Sequence, residues 1–212
     1  MWDFTGQRNS RLENLFLIVG LGNPGKDYTK TRHNAGFLLV ETLAQGWGAN
    51  WTAEKKFNSR LAKTEQSGRK LVLCQPQTYM NASGEAVQSL AGFFRLPSEK
   101  ILLVVDDADL PFGEIRLRGS GSSGGHHGLE SVEKHLGTRE FPRLRIGIGR
   151  KDGARQITNY VLGQFTKDET DLLEKVLARA AKQVECWVGD GIAKAMNQFN
   201  GAVNQEEKGT KQ

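Results

Sequence analysis

The run Leu15-Phe16-Leu17-Ile18-Val19-Gly20-Leu21-Gly22-Asn23-Pro24-Gly25, followed at once by Arg32-His33-Asn34-Ala35-Gly36, constrains this chain more than any other segment. An unbroken apolar stretch that stops at a Gly/Pro turn reads as a strand buried on both faces. Such a strand delivers Asn23, and then His33, to its C-terminal rim. In open α/β sheets that rim is where ligands bind and chemistry is done.

The same glycines match the spacing of a dinucleotide-binding turn: Gly20, Gly22 and Gly25, with Glu41 about where a ribose-binding acid would stand. The context argues against that reading. A dinucleotide turn opens directly into an apolar helix, whereas residues 24 to 32 carry no helical apolar face, and Glu41 falls inside the following helix beside Phe37, Val40, Leu43 and Ala44.

With 212 residues, 38% of them hydrophobic, the chain can bury one substantial core. Strand and helix patterns interleave along it, which predicts a single α/β domain. The expected boundaries are a flexible extension over 1–14, one folded domain over 15–200 and a flexible polar tail over 201–212. Helices are expected from about Asn34 to Gln45, from Ser83 or Asn81 as cap to about Arg95, near Leu129 to Leu136, and from the capping-box pattern Thr166-Lys167-Asp168-Glu169 to a break at Gly189-Asp190-Gly191. A strand pair is expected over Asn58–Thr64 and Arg69–Gln75, turning at Ser67-Gly68. Ile101–Val105 reads as a second buried strand, and Ile115–Arg118 and Arg143–Gly149 as half-buried ones.

Cys74 and Cys186 lie in apolar segments and read as free thiols, which fits a cytoplasmic location. No segment is apolar enough to span a bilayer, and residues 1–14 lack a secretory core. The formal charge of +5 and a pI of about 9.2 agree with a polyanionic partner.

His33 is the candidate acid–base group, because imidazole titrates near neutrality. Asp106 leaves a buried strand where it could hold that imidazole's tautomer, so the two together suggest a base that activates water. Asp106, Asp107 and Asp109 would also suit a divalent cation or a solvated turn. Gly121-Ser122-Ser123-Gly124-Gly125 has the spacing of a serine nucleophile turn, but a triad needs an acid and then a histidine downstream, the last histidine is His135, and Glu130 and Glu133 are too local to serve as the acid, so a flexible glycine loop is the better account. Adjacent His126 and His127 lack the spacing of a zinc pair on one helix face, and one of them reads as the residue that starts a helix. Alternation puts Arg116 with Arg118, and Arg143 with Arg145, on single faces. If those strands are neighbours, four guanidinium groups form either a phosphate clamp or a solvated sheet face.

Six motifs, in order, resemble the bacterial-type peptidyl-tRNA hydrolase family: Val19–Gly25, Thr31–Gly36, Tyr79–Gly84, Asp106–Gly113, Gly124–Leu129 and Arg143–Gly149. The resemblance covers about Leu15 to Asn200. It implies a single catalytic domain of α/β fold, with a twisted mixed β-sheet flanked by α-helices, and hydrolysis of the ester joining a peptide to tRNA, rescuing tRNA from stalled translation, by a monomer without cofactor or metal. It further implies His33 as general base, Asp106 as its orienting acid and Asn23 as a hydrogen-bonding group at the scissile carbonyl. Tyr28, Tyr79, Met80, Asn81, His126 and His127 become substrate-binding residues, and Arg118 and Arg145 holders of a tRNA phosphate. The chain departs from the family's habit at His127, where an asparagine is usual. A second class open to the same scaffold is an RNA-binding protein without turnover. The presence together of Asn23, His33, Asn81 and Asp106 argues for the enzyme.

Overall fold

A computed structural model describes residues 14–150 and 157–203. The strands are β1 (Leu15–Gly20), β2 (Trp51–Glu54), β3 (Ser59–Gln66), β4 (Arg69–Pro76), β5 (Ile101–Asp107), β6 (Glu114–Arg118), β7 (Arg143–Gly147) and β8 (Gly201–Ala202). The helices are α1 (Ala35–Gly46), α2 (Ser83–Phe94), α3 (His127–Leu136), α4 (Ile157–Val161), α5 (Lys167–Asp190) and α6 (Ile192–Phe199). The strands form one mixed sheet in the order β2-β3-β4-β1-β5-β7-β6-β8. Its centre, β4-β1-β5-β7, is parallel, and antiparallel pairs complete both sides. The expected α/β architecture is what is found.

Period-two alternation along the central strands sorts the core into two layers. Ile18, Leu102 and Val104 face α1 and α5, while Leu17, Val19, Leu103 and Val105 face α2 and α3. Both faces are covered, which is why β1 and β5 read as continuous apolar runs. After β1 the chain passes to α1 on one face, and after β4 to α2 on the other. The sheet therefore opens at the C-terminal ends of these neighbouring strands.

The glycines after β1 serve close packing. A Cβ on Gly36 would lie 2.3 Å from the Val104 carbonyl oxygen and 2.5 Å from that of Leu21. Only glycine lets the start of α1 press onto β1 and β5, and that contact brings His33 down to the sheet rim. The turn Ser67-Gly68 has positive φ at both residues (50° and 70°), the geometry that suits a two-residue hairpin.

Several expectations are corrected. Neither Ser83 nor Asn81 caps α2: the chain enters through a 3₁₀ turn in which the Ala82 N–H donates to the Tyr79 carbonyl, and no side chain caps it. The Asn34 side chain, at the N-cap position of α1, is spent on Asn23 instead of on the helix. Strands β2 and β8 and helix α4 were not foreseen, because four-, two- and five-residue elements carry too little periodicity. Gly201 and Ala202, expected as part of the tail, pair with Ile115 and Glu114. Residues 1–13 of the extension expected over 1–14, and residues 204–212, lie outside the described residues.

Candidate active site

His33 and Asp106 meet. His33 sits in the 3₁₀ turn Arg32–Asn34 between β1 and α1, and its Nδ1 lies 2.8 Å from Asp106 Oδ1 at the end of β5. A carboxylate only accepts, so Nδ1 carries the hydrogen and Nε2 is left with its lone pair. Burial by itself would raise the Asp106 pKa, but hydrogen bonds from His126 and His33 outweigh it and hold the acid well below the ordinary carboxylate range.

That a second histidine reaches the same acid is what the sequence reading missed, although it had one of His126 and His127 starting a helix. His126 is the N-cap residue of α3, and its Nδ1 accepts from the backbone N–H groups of Gly128 and Leu129 at 3.2 and 3.3 Å. Its Nε2 lies 3.2 Å from the same Asp106 oxygen. His33, Asp106 and His126 could together hold a metal ion, since their ligand atoms all lie within 4.8 Å of one another. The hydrogen bonds argue otherwise. With Nδ1 accepting from the backbone, the nitrogen of His126 that a metal would need is the one carrying the hydrogen.

Asn23, buried after β1, is locked on three sides. Its N–H donates to Asn34 Oδ1, its carbonyl accepts from Asn34 Nδ2, and its Oδ1 accepts from the Met80 N–H, all at 2.9 Å. Spending Oδ1 on Met80 fixes the amide's orientation and leaves the Nδ2 donor for a ligand.

These groups line a cavity of about 420 Å³ with Asp107, Asp109, Arg145, Arg150, His127 and the residues Ile157, Thr158, Val161 and Leu162 of α4 and its end. One wall is polar and charged, and the other apolar. Ile157 is 45% exposed, a large apolar side chain left for a ligand to cover. The α4 segment is pinned beside His33 by Arg32, a buried residue whose guanidinium donates to the Gln164 carbonyl at 2.8 Å and to Glu169 at 2.7 Å and lies 4.6 Å from the Tyr160 ring centre.

The remaining predicted residues divide. Met80 is buried in the core, does not line the cavity, and donates its N–H to Asn23, which does. Tyr28, Tyr79 and Asn81 do not line the cavity, and Tyr79 is 65% exposed outside it. His127 does line it, with its ring open to solvent and Nδ1 3.1 Å from Glu130.

β6 and β7 are neighbours, with Arg116 opposite Arg145 and Arg118 opposite Arg143, so all four arginines share one face as alternation required. They are not equivalent. Arg143 is 1% exposed, and its guanidinium is consumed by the carbonyls of Gly121, Ser122, Arg139 and Phe141, so it is a brace for the glycine loop. Arg145 bonds Asp107 at 3.1 Å and the Ser122 and Ser123 carbonyls, yet still lines the cavity. Arg116 and Arg118 are exposed. Ser123 belongs to this loop, and no histidine bonds its hydroxyl among the described residues, which removes the nucleophile reading.

Comparison with known proteins gives a consistent result. The peptidyl-tRNA hydrolase family model matches residues 17–209. A peptidyl-tRNA hydrolase of Synechococcus sp. is 47% identical over 186 residues, covering 88% of this chain and 83% of its own. That of Gloeobacter violaceus is 47% identical, with 88% and 94% covered. The solved structure of peptidyl-tRNA hydrolase from Acinetobacter baumannii superposes with a TM-score of 0.85 at 38% identity, over 92% of this chain and 98% of that one. Identity at this level along nearly the whole chain means that the protein belongs to the peptidyl-tRNA hydrolase family.

Proposed function

We propose that this protein hydrolyses the ester between the peptide and the tRNA of peptidyl-tRNA, with His33 as the base that activates water. The observation that carries the reading is the 2.8 Å contact of His33 Nδ1 with Asp106, which directs the free Nε2 lone pair to the reacting end of a cavity that Asn23 also lines. Water bound at Nε2 gives up a proton as its oxygen attacks the ester carbonyl. The tetrahedral oxyanion accepts from Asn23 Nδ2, a donor already fixed in direction by the Met80 N–H on the other atom of the amide. The bond to the ribose oxygen then breaks, and the imidazolium returns its proton to that oxygen. An ester is activated enough for this without a covalent intermediate or a metal, and ordinary amides are spared. Arg145 at the cavity and Arg118 on the adjoining strand supply cationic positions for tRNA phosphates.

The test is incubation with N-acetyl-aminoacyl-tRNA, with and without EDTA. Release of N-acetyl-amino acid and free tRNA, unaffected by the chelator, supports the reading. Binding of tRNA without turnover would favour an RNA-binding role instead.

A further inference from the structure

We infer that His126 is a positioning residue for Asp106, a second clamp on the acid that steers His33, and not a substrate contact. The inference rests on the reading of His33 as general base. Three hydrogen bonds fix the His126 ring: two backbone N–H groups at the start of α3 hold Nδ1, and Nε2 is aimed at Asp106 Oδ1. The ring also lies directly on backbone, since a Cβ on Gly128 would be 3.0 Å from its Cε1. Only 7% of the side chain is exposed, and its centroid stands 5.2 Å from that of His33. A donor so constrained sets the rotation of the carboxylate it touches.

The consequence is division of labour on one oxygen. Oδ1 of Asp106 receives both imidazole N–H groups, at 2.8 and 3.2 Å. A carboxylate held from the α3 side cannot turn away from His33, so the His33 hydrogen stays on Nδ1 and its lone pair stays on the cavity side. Gly128 makes sense in these terms, because a Cβ there would lie 2.5 Å from Met80 Sδ and 2.9 Å from Leu21 Cδ1, so only glycine lets the start of α3 sit this close. The other charged groups around Asp106 are Asp107 on β5, Arg145 on β7, and Asp109 and Arg150 further along the cavity wall. None of these replaces the donor.

Two substitutions separate the two jobs of the ring. His126→Asn keeps an acceptor where Nδ1 sits and so still caps α3, but has no donor that reaches Asp106. His126→Gln carries an amide N–H near the Nε2 position and loses the cap. On N-acetyl-aminoacyl-tRNA, His126→Asn should lower kcat on the order of 10- to 100-fold, with KM and melting temperature little changed, and should move the acid limb of the rate profile to higher pH. His126→Gln should recover most of that loss while melting at lower temperature. Loss of kcat that simply follows melting temperature would reduce His126 to a helix cap, and a raised KM at constant kcat would make it a substrate contact. Either overturns the proposal. Nitrogen-15 shifts of the imidazoles decide the geometry without any substrate: His126 must be the Nε2–H form and His33 the Nδ1–H form. If wild type fails to turn over while those tautomers are found, the reaction has been misassigned and the clamp stands. A His126 ring bearing its hydrogen on Nδ1 sinks the clamp itself.

Discussion

Gly20 and Gly36 meet backbone to backbone: a Cβ built on Gly20 would lie 2.2 Å from the carbonyl oxygen of Gly36. Two glycines in the motifs flanking Asn23 and His33 thus hold the start of α1 against β1, where a nucleotide-binding turn would have used its glycines to admit a phosphate.

Gly36→Ala should destabilise the fold by roughly 2–3 kcal/mol or more, because the new methyl meets backbone that cannot yield. Gly92→Ala in α2, where a Cβ would meet nothing within 4 Å, should stabilise it by roughly 0.5–1 kcal/mol. Urea midpoints of the two variants check the pair. Equal behaviour would show that the close approach does not exist.

His33→Ala should lower kcat on the order of 10²- to 10⁴-fold while leaving the affinity for tRNA nearly intact. Asp106→Asn should fall in the same range, since an amide can present its own N–H to His33 and hold the wrong tautomer. Single-turnover rates and tRNA binding by filter retention measure both. Near-normal turnover by His33→Ala would overturn the mechanism.

Acid stability should report on Asp106. Its pKa in the fold lies below the value of about 3.9 expected in the unfolded chain, so in the interval between them the unfolded state binds more protons. The stability contributed by the ionised acid is therefore complete above that interval and is lost as pH falls through it. Unfolding free energy measured from pH 5 downwards should drop more steeply for wild type than for Asp106→Asn. Parallel slopes would mean that the acid is not held ionised by its two imidazole partners.

The arginine face should dissect by burial. Arg118→Ala should leave the melting temperature unchanged and flatten the salt dependence of tRNA binding by roughly 0.7 to 0.9 log units per log unit of salt. Arg143→Ala should cost roughly 2–4 kcal/mol of stability, from carbonyls left unpaired around the glycine loop. Arg145→Ala should do some of each, because it both braces that loop and faces the cavity. Salt titrations and thermal melts of the three variants give the readout, and an unchanged salt slope for both Arg118→Ala and Arg145→Ala would remove the clamp.

Much of the frame was legible in the residue order. The continuous apolar runs of β1 and β5, the Ser67-Gly68 turn and the capping pattern at Thr166 report local causes: period, special φ and end-group satisfaction. The pairing of His33 with Asp106 was legible for a related reason, because each follows a buried strand and parallel neighbours end at the same rim. The short elements β2, α4 and β8 escaped, since their stability comes from neighbours: β2 is held by pairing with β3 and by the Trp51 indole on Glu41, and the α4 segment by Arg32 and by the Tyr160 hydroxyl on Ile148.

By itself, then, the amino-acid order determined which strands are buried, which face carries the arginines and which two side chains share a sheet edge, because spacing along a chain sets direction. Only the tertiary structure decided which arginine is spent on carbonyls, which asparagine atom is left to donate, and that His126 reaches Asp106. Those outcomes depend on groups 20 to 57 residues apart coming within about 3 Å, a distance at which hydrogen bonds form and which no periodicity encodes.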